Sequence, residues 1–314
     1  MELDNTLIFT LARMNPPTPG HLFLIRQLIE TAVNKNVSDV YIILSKTNDN
    51  NENPILCPEK IAVLGNMDNT SRTMIQTLKQ TMIDEAVDPE QKQKIAQVRV
   101  NTICVPEVKG STPFTPLVSL VDNMTAPDIN LFLIIGDDRK NMADSITDVF
   151  FKKDNVNSVD VMILPREEMS EFKEKSKNPA LLDTLDISTV PVNAMSASFV
   201  RNIVKNNRKD KFIELYSPYL DEAKIDKLYD DISNGLTMKP PSKADEQERP
   251  LKYIYPMIKG QSEFPIRQAV FPSSGKRTTE IFTQPKATKK RKTGGRRKTR
   301  RRRTNKRRRT NKRR

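Results

Sequence analysis

Histidine occurs once in these 314 residues, cysteine twice and tryptophan not at all. No apolar run approaches the roughly 20 residues that span a bilayer, which argues against a transmembrane helix. The opening Met1-Glu2-Leu3-Asp4-Asn5 lacks the basic start of a signal peptide. Cys57 and Cys104 stand far apart in sequence without metal-ligand spacing, and they make no disulfide framework. Both are read as small apolar packing residues in a reducing compartment, so the chain is expected to be intracellular, cytoplasmic or nuclear. Acid is missing from one stretch: Lys286 to Arg314 carry 19 Lys/Arg and no Asp or Glu, leaving 34 basic and 39 acidic residues in 1–285. A body of net −5 is thus followed by a tail of +19.

That tail ends in a six-residue repeat, Arg301 to Lys306 and then Arg307 to Lys312. Such self-repelling sequence builds no core, so residues 286–314 are read as disordered. Density of this kind binds nucleic acid through counterion release, without sequence preference. Lys289-Lys290-Arg291-Lys292 also resembles a nuclear import signal. Folding back on the acidic body is a third reading.

What is present along the body is strand–helix alternation. Apolar runs stand at Leu7-Ile8-Phe9-Thr10-Leu11, Val40 to Leu44, Val98 to Val105, Leu131 to Ile135, Val159 to Leu164 and, more weakly, Ile187 to Val192. Helical patterns follow the first run, with Leu22, Leu24, Ile25, Leu28 and Ile29 at helical spacing, and recur near 58–67, 71–86, 114–124 and 139–151. The pattern predicts an α/β fold: a parallel sheet covered on both faces, with ligands beyond the carboxyl ends of its strands where strand order reverses. Further helices are expected from Ser196 to about Asn206 and at 209–216 and 221–233. The division is therefore 1–206 for the sheet domain, 207–238 for a small helical C-terminal subdomain, 239–285 for a linker or extended strap, and 286–314 for the poly-basic tail.

The lone His21 falls in Arg13-Met14-Asn15-Pro16-Pro17-Thr18-Pro19-Gly20-His21, between the first strand and the first helix. A first helical turn has N–H groups without partners and a positive dipole end, so it favours anions, and Gly20 lets a backbone approach closely. This run resembles the (H/T)xGH signature of the nucleotidyltransferase superfamily, which includes the nicotinamide-nucleotide adenylyltransferases and the cytidylyltransferases. Two more segments carry the resemblance in the same order: Ile135-Gly136-Asp137-Asp138-Arg139, similar to the strand-ending Gly-x-Asp segment, and Met195-Ser196-Ala197-Ser198-Phe199-Val200-Arg201, similar to the closing Ser/Thr-x-x-Arg segment. Ser45-Lys46-Thr47 through Asn53-Pro54 to Glu59-Lys60 is similar to the loop and helix after the second strand. The resemblance covers roughly residues 5–235.

It implies a Rossmann-like fold and transfer of AMP, in preference to CMP, from NTP·Mg²⁺ to a phosphorylated acceptor, with nicotinamide mononucleotide the first to test. Thr18, His21 and Arg201 are implied as catalytic. Arg13, Asn15, Gly20, Gly136, Asp138, Ser196 and Ser198 are implied as nucleotide-binding, and Lys46 as acceptor-binding. Mg²⁺ bridges the phosphates, and no protein ligand is assigned to it. Plainer roles exist for several of these: Asp137, Asp138 and Ser196 suit helix capping, and Lys46 a solvated loop. The sequence also departs from the pattern. Thr18 replaces a common histidine, Lys60 a common arginine, and no tryptophan is present to stack on a pyridine ring, for which Phe150 or Phe151 are substitutes. One rival is a nucleic-acid-binding or virion-packaging protein with an inert nucleotide domain, since basic tails on Asn-rich proteins resemble those of large DNA viruses. The other is an aminoacyl-tRNA-synthetase-like enzyme, which Met195-Ser196-Ala197-Ser198 supports only weakly because that signature's lysines are missing.

Overall fold

A computed structural model describes residues 5–47, 52–65, 72–107, 110–165, 175 and 177–237, all within the first of two compact units, Met1–Gln268. The second unit, Ala269–Arg314, lies wholly outside the described residues, as do the linker or strap of 239–285 and the basic tail of 286–314.

Five strands form one parallel sheet in the order β3-β2-β1-β4-β5: β1 Thr6–Ala12, β2 Asp39–Leu44, β3 Arg99–Cys104, β4 Ile129–Gly136 and β5 Val156–Leu164. Both faces are buried, which is why the strands read as near-continuous apolar runs. Along β1, Ile8 and Ala12 enter one core while Leu7, Phe9 and Leu11 enter the other. The first face is covered by α1 (Pro19–Lys35), α2 (Cys57–Leu64), α3 (Met74–Glu85), α4 (Pro89–Gln97), α7 (Pro179–Asp183), α8 (Ala197–Lys205), α9 (Lys209–Tyr216) and α10 (Glu222–Thr237). On the second face lie α5 (Phe114–Asn123) and α6 (Lys140–Phe150). The fold is therefore the α/β, Rossmann-like class expected. Order reverses between β1 and β4, so the crevice opens where Ala12 and Gly136 end their strands.

The C-terminal helices share the core of the sheet: Phe212, Leu215 and Tyr216 of α9 and Ile225, Leu228 and Ile232 of α10 lie in the same cluster as Ile8 and Leu22. Among the described residues no helix is long and apolar enough to cross a membrane.

Three expectations are corrected. Ile187 to Val192 is not a strand but part of two 3-10 turns, Ile187–Thr189 and Val192–Ala194. Asp186 caps the first by accepting from Ser188 N at 2.9 Å, and Pro191 separates the two, so Ile187 and Val190 are buried without a ladder. Phe150 is fully buried in the core under α6 and Phe151 follows that helix. Because α6 starts at the carboxyl edge of the sheet and runs away from it, neither ring reaches the crevice. Finally, Cys57 and Cys104 are not separate thiols: they form a disulfide, S–S 2.14 Å and Cα–Cα 5.9 Å, across 47 residues of sequence. The parallel crossover returns the end of β3 to the start of α2, so sequence distance says nothing about proximity here. The reducing compartment inferred from unpaired thiols loses its basis.

Candidate functional site

A cavity of about 300 Å³ opens at the switch point. It is lined from the first motif by Arg13, Asn15, Thr18, Gly20 and His21, from the second by Gly136 and Arg139, and from the third by Ser196, Ser198 and Arg201. Asp138 sits in the 3-10 turn Asp137–Arg139, and its side chain lies outside the described residues. Lys46 follows β2 and lines neither this cavity nor the recess beside it.

The first motif is a turn held from several sides. Met14 takes a left-handed backbone, φ 41°, uncommon for a residue with a Cβ, and reverses the chain out of β1. Arg13 is left exposed and Asn15 buried. Asn15 spends its side chain on the chain opposite: its Nδ2 donates to Ile55 O at 2.8 Å and its Oδ1 accepts from Ile55 N at 3.0 Å. Arg201 Nη1 donates to Asn15 O at 2.8 Å, joining motifs 186 residues apart. From beneath, the phenol of Tyr216 donates to Pro17 O at 2.6 Å, and burial pushes that phenol's pKa well up, so it stays a donor.

Thr18 is the N-cap of α1, and His21 is the third helical residue. Thr18 N–H donates to His21 Nδ1 at 2.9 Å, and Thr18 Oγ1 lies 2.9 Å from the same nitrogen. Because Nδ1 accepts, the ring proton of the neutral imidazole belongs on Nε2, which becomes the donor. Thr18 thus fixes the tautomer of the residue it precedes by one turn.

The third motif opens α8. Ser196 Oγ caps the helix by accepting from Phe199 N at 3.2 Å and lies 2.9 Å from Ser198 Oγ. Ala197 and Ser198 are then in a first turn whose N–H groups no helical carbonyl reaches. Phe199, Val200, Ile203 and Val204 are buried, at roughly 1.5–3 kcal/mol each, which anchors the helix under the crevice.

The two helix starts meet at Gly20. A Cβ there would lie 2.7 Å from Met195 O and 3.1 Å from Val192 O. Gly20→Ala is therefore expected to cost about 1–3 kcal/mol, as overpacking does, read as a lowered urea midpoint. An unmoved midpoint would mean the segments have room to part.

Arg13, Arg139 and Arg201 line the cavity with His21, and among the described residues Glu52 is the one carboxylate beside them. Glu52 lies 3.7 Å from Arg13, both half-exposed, so the pair is weak. Among the described residues, no group of three His, Cys, Asp or Glu is placed to hold a metal ion. The cavity also holds a polar orphan: Thr10 on β1 is fully buried, and among the described residues its Oγ1 meets no partner. Features the sequence did not reveal are Tyr216, the Asn15–Ile55 clamp, Phe23 on the cavity wall, and Phe114. The last lines an open recess adjoining the cavity and sharing Arg13 and Arg139 with it.

Lys60 is buried and donates from Nζ to Ser45 O at 2.9 Å, bracing the end of β2. Burial lowers its pKa to about 8, against an opposing pull from Glu59, while Arg13 adds to the lowering. Below pH 8 the amine is charged in both folded and unfolded chains and the burial cost is fully present. Between about 8 and the ordinary 10.5 the unfolded chain binds more protons, so stability rises with pH, by about 3 kcal/mol in all. The stability difference between wild type and Lys60→Met, followed by urea denaturation from pH 7 to 10, should show most of that rise. A flat difference would mean that Lys60 is hydrated.

No protein-family model matches this chain, and no curated protein matches it in sequence.

Proposed function

We propose that the chain is a nucleotidyltransferase of the superfamily its three motifs resemble, transferring AMP, in preference to CMP, from NTP·Mg²⁺ to a phosphorylated small molecule and releasing pyrophosphate. The observation that carries this reading is convergence: three segments spread over nearly 190 residues line one cationic cavity at the switch point.

An acceptor phosphate oxygen attacks the α-phosphorus, the bond to the bridging oxygen of the β-phosphate breaks, and pyrophosphate leaves. The protein supplies no nucleophile; it aligns groups and stabilises charge on phosphoryl oxygens. His21 Nε2–H donates to a non-bridging α-oxygen. Arg201 and the first turn of α8 hold the leaving pyrophosphate. Arg13 and Arg139, shared by the two recesses, take the acceptor phosphate, with Phe114 beside them as a face for a planar acceptor. Mg²⁺, bound to the triphosphate, would offset charge on the phosphates, and no residue of the chain is assigned to hold it.

Pyrophosphate release by the full chain, crossing ATP and CTP against nicotinamide mononucleotide, FMN, phosphopantetheine and phosphocholine, tests the reading. Signal for one pair supports it. Silence across the panel with no nucleotide binding sinks it.

The tail favours a second activity beside the first. Its 19 cations support non-specific nucleic-acid binding. Affinity for duplex DNA should then fall by about 10³-fold or more between 50 and 200 mM salt, the usual loss for six or more phosphate contacts. It should vanish on removal of 286–314, and retention after truncation would move the binding to the body.

A further inference from the structure

Neither Cys57 nor Cys104 lines the cavity, but the chain around their disulfide connects it to the loop of Arg13 to His21, which does. Cys104 ends β3 in register with Leu44, which is in register with Ala12, the residue before Arg13. Cys57 begins α2. The covalent bond therefore ties the start of α2 to the carboxyl edge of the sheet. Immediately before Cys57 runs a strap, Asn53 to Leu56, whose first three residues are buried and whose Asn53 lines the cavity. Two other contacts hold it. Asn15 grips Ile55 through two hydrogen bonds. Gly235 of α10 backs Pro54 so closely that a Cβ would fall 1.9 Å from Pro54 O. Beyond Asn15 the next bond leads to the guanidinium of Arg201. From the sulfur of Cys57 to Arg201 the path is thus two residues of strap, a double hydrogen bond, and one more hydrogen bond.

We propose that Cys57–Cys104 is a reversible dithiol–disulfide site whose oxidation state sets how firmly the strap, and through Asn15 the phosphate-binding loop, is held. The consequence for nucleotide affinity rests on the function proposed above; the mechanical coupling does not.

The exchange chemistry suits the two positions. Cys104 is partly exposed and Cys57 buried, so an incoming thiolate from a small dithiol meets the Cys104 sulfur first. A mixed disulfide forms there, and Cys57 leaves as a thiolate in the first turn of α2, where the helix dipole favours negative charge. The second thiol of the reductant then displaces Cys104. Two electrons pass from the dithiol, which ends as a cyclic disulfide, and its two protons end on Cys57 and Cys104. A small-molecule disulfide reverses the sequence. With the bond open, the strap keeps its contacts to Asn15 and Gly235, and Leu56 N still donates to Glu59 at 2.7 Å, so the loop loosens without unfolding.

The test uses the full chain purified without reductant. Alkylation should find no reactive thiol before dithiothreitol and two after it. Hydrogen exchange in peptides covering 13–21 and 52–60 should quicken on reduction, and ATP·Mg²⁺ affinity at fixed salt should fall about fivefold or more, the lower end of ordinary site coupling. Oxidised glutathione should restore both, and Cys57→Ser/Cys104→Ser should behave as the reduced protein and ignore either reagent. Thiols that oxidised glutathione does not pair would overturn the proposal, as would faster exchange confined to 52–60 with 13–21 unchanged. If ATP·Mg²⁺ binds in neither state while 13–21 still responds, the proposed function fails and the redox coupling stands.

Discussion

Turnover of the His21→Ala variant is expected to fall roughly 10²–10³-fold, the loss that follows removal of one donor from a developing oxyanion. The geometry predicts how the loss divides. Thr18 N–H holds Nδ1 and leaves Nε2 to donate, a contact that gains most when charge moves onto the α-phosphate. kcat and kcat/KM should therefore fall together while KM for ATP holds. The same substitution takes the acceptor from Thr18 N–H, at a cost of about 1 kcal/mol to the start of α1. A thermal shift of a few degrees should thus accompany the kinetic loss without explaining it. Unchanged turnover would remove His21 from the mechanism. A rise in KM at constant kcat would make it a ground-state contact for the triphosphate.

Much of this site was legible because the sheet is buried on both faces. Runs such as Leu7 to Leu11 and Leu131 to Ile135 have few alternatives to a central parallel strand, and the switch-point rule then puts the His21 loop at a crevice. Ser196 is legible as a helix start, and its hydroxyl caps α8 by accepting from Phe199 N. Helix α4 carries no apolar periodicity, because Ile95 is its only buried residue, and only the Asp88-Pro89 start marks it. Tyr216 could not be placed, because its partner Pro17 lies 199 residues away and nothing local marks a tyrosine that props up a distant loop. Phe150 and Phe151 suit an aromatic face by residue type alone. Helix direction decides the matter instead: Phe114 opens its helix at the carboxyl edge, whereas Phe150 ends one on the far side.

Opening the disulfide should cost stability as well as loosen the strap. The bond closes a loop of about 47 residues, which contains α2, α3, α4 and β3, the edge of the sheet. Constraint of the unfolded chain by a loop of that length is worth up to about 4 kcal/mol, and engineered cases commonly return less. For a folded body of this size, 3 kcal/mol corresponds to roughly 6–12 °C in Tm. Dithiothreitol should lower the melting temperature of the wild-type chain by that amount and leave Cys57→Ser/Cys104→Ser, already lowered, where it is. The loss should fall first on the enclosed edge. Hydrogen exchange in β3 should become faster than in β1 and β4, which lie inside the sheet and outside the loop. Equal melting with and without reductant would show that the cysteines do not constrain the chain. A loss spread evenly over all five strands would show that the body unfolds as one unit and that the edge has no stability of its own.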